Sequence, residues 1–278
     1  MQHDEFLRGI VAALAQVPGI EAIVLGGSRA RGSAGKNSDY DIGLYFSSRH
    51  PLDTERLLAE ARGLADEPEA AVVTPVGEWG PWIVGGAWLS ISRCKVDLLY
   101  REVEAVARVI EGCRAGSVSM DYQPGHPHGF CSAIWAGEAA LCRPLHDPHG
   151  VVAGLKAIAL PYPKALRAAL IRRFRWEVSF SIDNAELAAA RGEQTHVAGC
   201  VYRALACSAQ VLFAINERYL INEKGALQEA AGFHVTIPDL AKRVDTIWRS
   251  VGEKDFGRAL SALRAIAQEA AALSPRDG

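Results

Sequence analysis

Apolar residues first recur at helical spacing. Phe6, Leu7, Ile10, Val11 and Leu14 form one stripe, which predicts a helix over residues 4–16 with Asp4 as its N-cap. The period then shortens. Ile23-Val24-Leu25 is a compact apolar run of the buried-strand type, and Asp39-Tyr40-Asp41-Ile42-Gly43-Leu44-Tyr45-Phe46 alternates as a second strand. Helical spacing returns over residues 53–65 through Leu57, Leu58, Ala61 and Leu64. Val72-Val73 predicts a short edge strand. Residues 83–91 and 95–100 predict a hairpin turned at Ser92-Arg93-Cys94, and a helix follows from Glu102 to Arg114.

The segment Gln123-Pro124-Gly125-His126-Pro127-His128-Gly129 breaks both periods. Beyond it the chain is rich in Ala, Leu and Arg. One long helical pattern runs from Lys164 to Arg191, with Leu166, Leu170, Phe174, Val178 and Ile182 on one face, and stops at Gly192. A second runs from about His196 to Leu220, and others begin at Ile237 and Phe256. The predicted fold is α+β, with an N-terminal mixed-sheet domain over residues 1–122 and a C-terminal antiparallel helical bundle over residues 123–278. The tail Ser274-Pro275-Arg276-Asp277-Gly278 reads as loose.

Composition adds limits. With 278 residues and 49% hydrophobic content the chain can bury a sizeable core. A net charge of −2, with both signs scattered, provides no broad basic face for duplex nucleic acid. The six cysteines include no C-x-x-C pair and read as reduced, mostly packed thiols. Neither a signal peptide nor a stretch with the length and apolarity of a membrane span is expected, so the expected setting is cytoplasmic, away from membranes.

The chemistry gathers between the first two strands. Gly26-Gly27 permits a close backbone approach that side chains would block. The free N–H groups after it, the Ser28 hydroxyl and Arg29 or Arg31 would form an anion site. Ten residues separate Ser28 from Asp39, and Asp39 and Asp41 stand two apart on a predicted strand. They therefore share a face at roughly 7 Å. Adjacent carboxylates repel, and hard divalent cations are their natural partners. Two-metal group transfer ordinarily uses a third carboxylate, and Asp97, in the apolar run Lys95-Val96-Asp97-Leu98-Leu99-Tyr100, is the best candidate.

Gly-Ser, ten residues, Asp-x-Asp and a later strand Asp together resemble the DNA polymerase β-like nucleotidyltransferase superfamily. Within it the chain is most similar to the small bacterial antibiotic (aminoglycoside and lincosamide) nucleotidyltransferases and their relatives. The motifs lie within roughly residues 20–100, and the C-terminal half is similar only as a helical domain of suitable size. The resemblance implies that Asp39 and Asp41 bind magnesium ions (Mg2+). It also implies that Asp97 completes the first metal site and accepts the proton of the acceptor hydroxyl, while Gly27, Ser28 and Arg29 hold the triphosphate. In relatives the helical domain supplies a lysine to the phosphates, and Lys224 is the loose match here. The implied reaction moves AMP from ATP to a hydroxyl of a small molecule such as an antibiotic, releasing pyrophosphate. The alternatives are adenylylation of a protein side chain, in the manner of antitoxin relatives, and non-catalytic nucleotide binding. The oligomeric state stays open.

Other clusters have plainer readings beside the functional ones. Arg172, Arg173, Arg175 and Trp176 suit a solvated helix face, or cations that reach a triphosphate. His126, His128, His146 and His149 match no zinc spacing. Trp88 reads as sheet packing, whereas Trp79 and Trp82 read as loop residues that face an acceptor. Asp121, Asp183, Glu186 and Glu223 read as surface acids or as a pocket for a cationic drug.

Overall fold

A computed structural model describes residues 3–274. Residues 275–278 of the tail expected to be loose lie outside that range. The described chain divides into two compact units. The first comprises residues up to Glu111, Asp121–Gly125 and Trp135–Pro161, and the second comprises Gly112–Met120, His126–Ile134 and the chain from Tyr162 on. The expected cut between residues 122 and 123 is thus replaced by an interleaved path.

In the first unit, α1 (His3–Leu14), β1 (Ile20–Leu25), the short α2 (Gly27–Ala30), β2 (Tyr40–Phe46), α3 (Thr54–Leu64), β3 (Gly86–Ile91) and β4 (Cys94–Glu102) follow in order. Helices α4 (Val103–Arg114) and α5 (Ala133–Leu141) contribute to both units. The strand β5 (Arg143–His146) and α6 (Val151–Ala159) return to the first. The five strands stand in the order β3-β4-β2-β1-β5, with β2 and β4 parallel and the other pairs antiparallel. This bears out the mixed sheet. Two local expectations change. Asp4 lies inside the first turn of α1, and Val73 makes only a single bridge, to Ala87.

Alternation sorts the sheet into two faces. Ile23, Leu25, Ile42, Leu44, Val96, Leu98 and Tyr100 point into one core with Phe6, Leu7, Ile10 and Leu14 of α1 and Leu57 of α3. The opposite face carries Asp41 and Tyr45 of β2, Asp97 and Arg101 of β4, and Trp88 of β3. The β3–β4 turn places Ser92 and Arg93 at φ 50° and 62°, left-handed values that such two-residue hairpins require. Asp66 holds this turn from a distance. Its carboxylate accepts the Ser92 and Arg93 N–H groups and the Ser90 hydroxyl, each at 2.7 Å.

The second unit is helical, bearing out the expected C-terminal region, with α7 (Lys164–Ala189), α8 (Gln194–Ile215), α9 (Ala226–Ala231), α10 (Leu240–Gly252) and α11 (Phe256–Leu273). Helix α8 packs along α7 and against α11. Contrary to the sequence expectation, α8 is long and apolar enough by length and composition to cross a membrane. Yet 67% of its apolar window is buried among its neighbours, as in the central helix of a bundle. The cysteines are free thiols, and Cys113, Cys131, Cys142 and Cys207 are buried.

Candidate active site

The site is built at the end of β1 and on the face of β2 and β4 opposite the core. The Gly26 N–H donates to the Asp41 carbonyl at 2.7 Å, so the turn after β1 is tied to β2. Gly27 then adopts φ +59°, and a Cβ there would collide with Oδ2 of Asp41. Only glycine satisfies both demands at once. Parallel pairing sets Asp41 directly opposite Asp97. Asp39 precedes β2 by one residue.

Arg29 holds the segment that leads into β2. Its Nε donates to the carbonyls of Ser38 and Asp39, both at 3.1 Å, and its guanidinium lies 3.8 Å from the centre of the Tyr40 ring. Tyr40 is also bonded to His3 and packed on Phe6. Arg29 thus fixes the approach to β2 in this conformation, a different task from the phosphate contact expected of it. Ser28 follows Gly27 as the second residue of α2, and its carbonyl accepts the Ser33 N–H.

Burial, then repulsion from Asp97, Glu138 and Asp39, pushes the Asp41 carboxyl up to about 6, while Arg31 acts the other way. Burial thus raises the Asp41 carboxyl first, and the neighbouring carboxylates add to it. Among the described residues, no three His, Cys, Asp or Glu side chains already converge as a metal-ligand set. The donor chemistry still fits a hard divalent cation: oxygen ligands of like charge, one of them with raised proton affinity.

Two residues of this site escaped the sequence reading. Arg101, almost fully buried on the Asp97 side of β4, makes a two-pronged ion pair with Glu138 of α5, both contacts at 2.8 Å. Arg101 was recoverable in principle, since it stands four residues after Asp97 on the same strand face. Glu138 is the lone acid in an apolar helix, which signals a buried partner without naming it.

The remaining candidates are placed as follows. Lys224 belongs to the second unit. It is exposed in the turn before α9, well past the end of α8, and its N–H donates to the Asn222 side chain. His126 pairs with Glu223 at 3.1 Å, and the buried His128 is bonded to Arg203. Arg173 is engaged by Glu177 and the Val118 carbonyl. Asp183 and Glu186 hold Arg264, while Asp121 accepts from Trp82 at 3.1 Å. Each of these acids is therefore engaged by a partner, with Asp183 and Glu186 sharing Arg264. Trp88 is not packed into the sheet core. It is 68% exposed and stacked on Trp79.

Residues 7–81 match the family model of the nucleotidyltransferase domain. That span contains the Gly27–Asp41 loop and ends before Asp97. No curated protein matches the chain. Among solved structures the chain is similar to a nucleotidyltransferase-like protein from Exiguobacterium sibiricum 255-15. The identity is 13% and the TM-score 0.46, over 96% of this chain and 75% of that one. The family match supports nucleotidyl transfer in general. Domains of this family act on a nucleoside triphosphate and generally use divalent metal ions.

Proposed function

We propose that this protein transfers a nucleoside monophosphate, AMP from ATP, to a hydroxyl of a small molecule such as an antibiotic. The observation that carries the reading is the in-register pair Asp41 and Asp97 beside the Gly27-Ser28 turn. The Gly27 turn leaves the Asp41 carboxylate uncovered by any side chain of its own, and Ser28 offers its hydroxyl to the triphosphate. Arg31, whose charge reaches Asp41, is the arginine better placed than Arg29 to meet phosphate. Lys224 is retained as a candidate phosphate ligand from the helical unit.

Asp39, Asp41 and Asp97 would hold magnesium, which when bound offsets phosphate charge and acidifies the acceptor hydroxyl. Asp97 takes the hydroxyl proton. The acceptor oxygen forms its bond to the α-phosphorus, the bond from that phosphorus to the β-phosphate oxygen breaks, and pyrophosphate leaves. Asp97 needs no unusual basicity for this role.

The deciding experiment measures ATP binding and pyrophosphate release separately, with purified protein, magnesium and a panel of hydroxyl acceptors. Asp97→Asn is expected to bind ATP while release falls on the order of a hundredfold or more. Release at the wild-type rate in that variant would remove Asp97 from the chemistry. A wild-type protein that binds ATP but releases no pyrophosphate with any acceptor would favour nucleotide binding alone.

A further inference from the structure

We propose that Trp88, backed by Trp79, is the acceptor platform of this site: a ring face of the acceptor lies on the exposed indole while its hydroxyl reaches Asp97. The inference rests on the nucleotidyl-transfer reading and adds to it an acceptor class, a ring-bearing alcohol.

Three observations carry it. The first is position. Antiparallel pairing sets Trp88 of β3 directly opposite Asp97 of β4. Directly paired residues share a sheet face, with Cβ atoms roughly 4.5–5.5 Å apart. A ring lying on this indole is therefore within reach of the Asp97 carboxylate.

The second observation is exposure. Single exposed apolar residues are ordinary, but Trp88 is 68% exposed on the one sheet face that also holds the carboxylates. The third is that the aromatic pair is built rather than loose. Trp79 stacks on Trp88 at 4.4 Å between ring centres and 17° between planes. The Trp79 carbonyl accepts from Nε2 of the buried Gln123 at 2.9 Å, and Gly80 leaves just the room that Gln123 fills. Gly86 lacks the Cβ that would press on the Trp79 ring at 3.1 Å. The far end of the loop is tied where Trp82 donates to Asp121 and meets the edge of Trp135. The pair is thus supported from behind, and Trp88 stays exposed on the sheet face it shares with Asp97.

An indole face recognises flat or C–H-lined rings and gives little to a short chain. Saturated sugar-like rings and aromatic rings share that chemistry, and the test separates them. The indole N–H signals of the 15N-labelled full-length protein are followed with magnesium and a non-hydrolysable ATP analogue present. Trp88→Phe identifies the Trp88 signal. Methyl glucoside is the saturated-ring probe, N-acetyltyrosinamide the aromatic one, and N-acetylserinamide the ringless control.

At least one ring probe is expected to move the Trp88 signal along a saturable curve, roughly fivefold tighter than the serine control. Trp88→Ala should weaken that probe by a similar factor, read at the Trp79 signal, and Trp88→Phe should restore part of it. A Trp88 signal that ignores both rings, or a serine control that binds equally well, would overturn the platform. Calorimetry on the wild type reads the ATP analogue independently. An analogue that binds while Trp88 stays silent overturns the platform alone. No analogue binding, with Trp88 still responding, overturns the acceptor role together with the transferase reading.

Discussion

Asp41 cannot be both comfortable in the folded chain and ready for a cation. Its carboxyl moves from an ordinary 3.8 to about 6, first through burial and then through Asp97, Glu138 and Asp39. A rise of roughly two units corresponds to about 3 kcal/mol. Because the folded chain holds this proton more tightly than the unfolded one, folding is unburdened below about pH 3.8. It loses stability as pH climbs through about 6, where the folded chain must carry the charge. Asp41→Asn removes that burden. In metal-free buffer at pH 8 the variant is expected to be more stable than wild type by about 2 kcal/mol, allowing for partial solvent screening. The gain should shrink toward zero as pH approaches 4. Nucleotidyl transfer should be lost across the same range. Urea unfolding at several pH values checks this, and a variant no more stable than wild type at pH 8 would show that Asp41 is already neutralised by its neighbours. The same residue explains Gly27, whose missing Cβ is space that Asp41 occupies.

At the scale of elements, the ion pair between Arg101 of β4 and Glu138 of α5 shows why a site is more than its motif. The Arg101 side chain is only 4% exposed, and a buried guanidinium without its carboxylate is costly. Glu138→Gln is expected to destabilise the protein by about 3 kcal/mol. Replacing both partners, Arg101→Met with Glu138→Leu, should cost markedly less, because no charge is then stranded. Urea midpoints of the wild type and these two variants decide it; a Glu138→Gln variant within about 0.5 kcal/mol of wild type would mean that water reaches Arg101. This pair also marks what the sequence could and could not convey. Strand alternation is legible for β2 and β4, so the α+β scaffold and the strand positions of Asp41 and Asp97 can be read from the sequence, whereas Asp39, expected on the same strand, precedes β2. Long helical periods gave α7, α8 and α11 to within a few residues. Their distant partners were not legible. Ser92-Arg93 lacks the Asn-Gly signature of a tight hairpin, because Asp66 supplies the turn with acceptors from another part of the chain. Arg29 reads as a phosphate ligand, and nothing local in the sequence reveals that it also donates to the carbonyls of Ser38 and Asp39. Trp88 read as core because period alone does not say which face of a sheet stays uncovered.

For the whole molecule, the chain path matters more than the break at Gln123–Gly129. The first unit takes its strand β5, its Glu138 and its Gln123 from beyond the point where the sequence seemed to divide. Strand β5 pairs Arg143 with Leu25 and Pro144 with Val24, and so covers the outer edge of β1. Helix α6 is fastened there as well, since Lys156 Nζ donates to the carbonyls of Ala139, Ala140 and Cys142 at 3.2, 2.8 and 2.8 Å. A fragment of residues 1–122 would expose the apolar edge Ile23-Val24-Leu25, strand Arg101 without its carboxylate and release the Trp79 carbonyl from Gln123. An open apolar edge strand invites pairing with other chains. The fragment is therefore expected to unfold without a cooperative transition and to aggregate, even though it contains Gly27, Ser28, Asp39, Asp41 and Asp97. Residues 1–161 restore every one of these contacts and should recover a cooperative urea transition and near-ultraviolet circular dichroism. Its segments Gly112–Met120 and His126–Ile134, which belong to the second unit, would be left uncovered and should lower its midpoint below that of the full chain. A cooperative transition in the shorter fragment, with a slope appropriate to its size, would show that the sheet stands without β5 and that the sequence break is the true boundary.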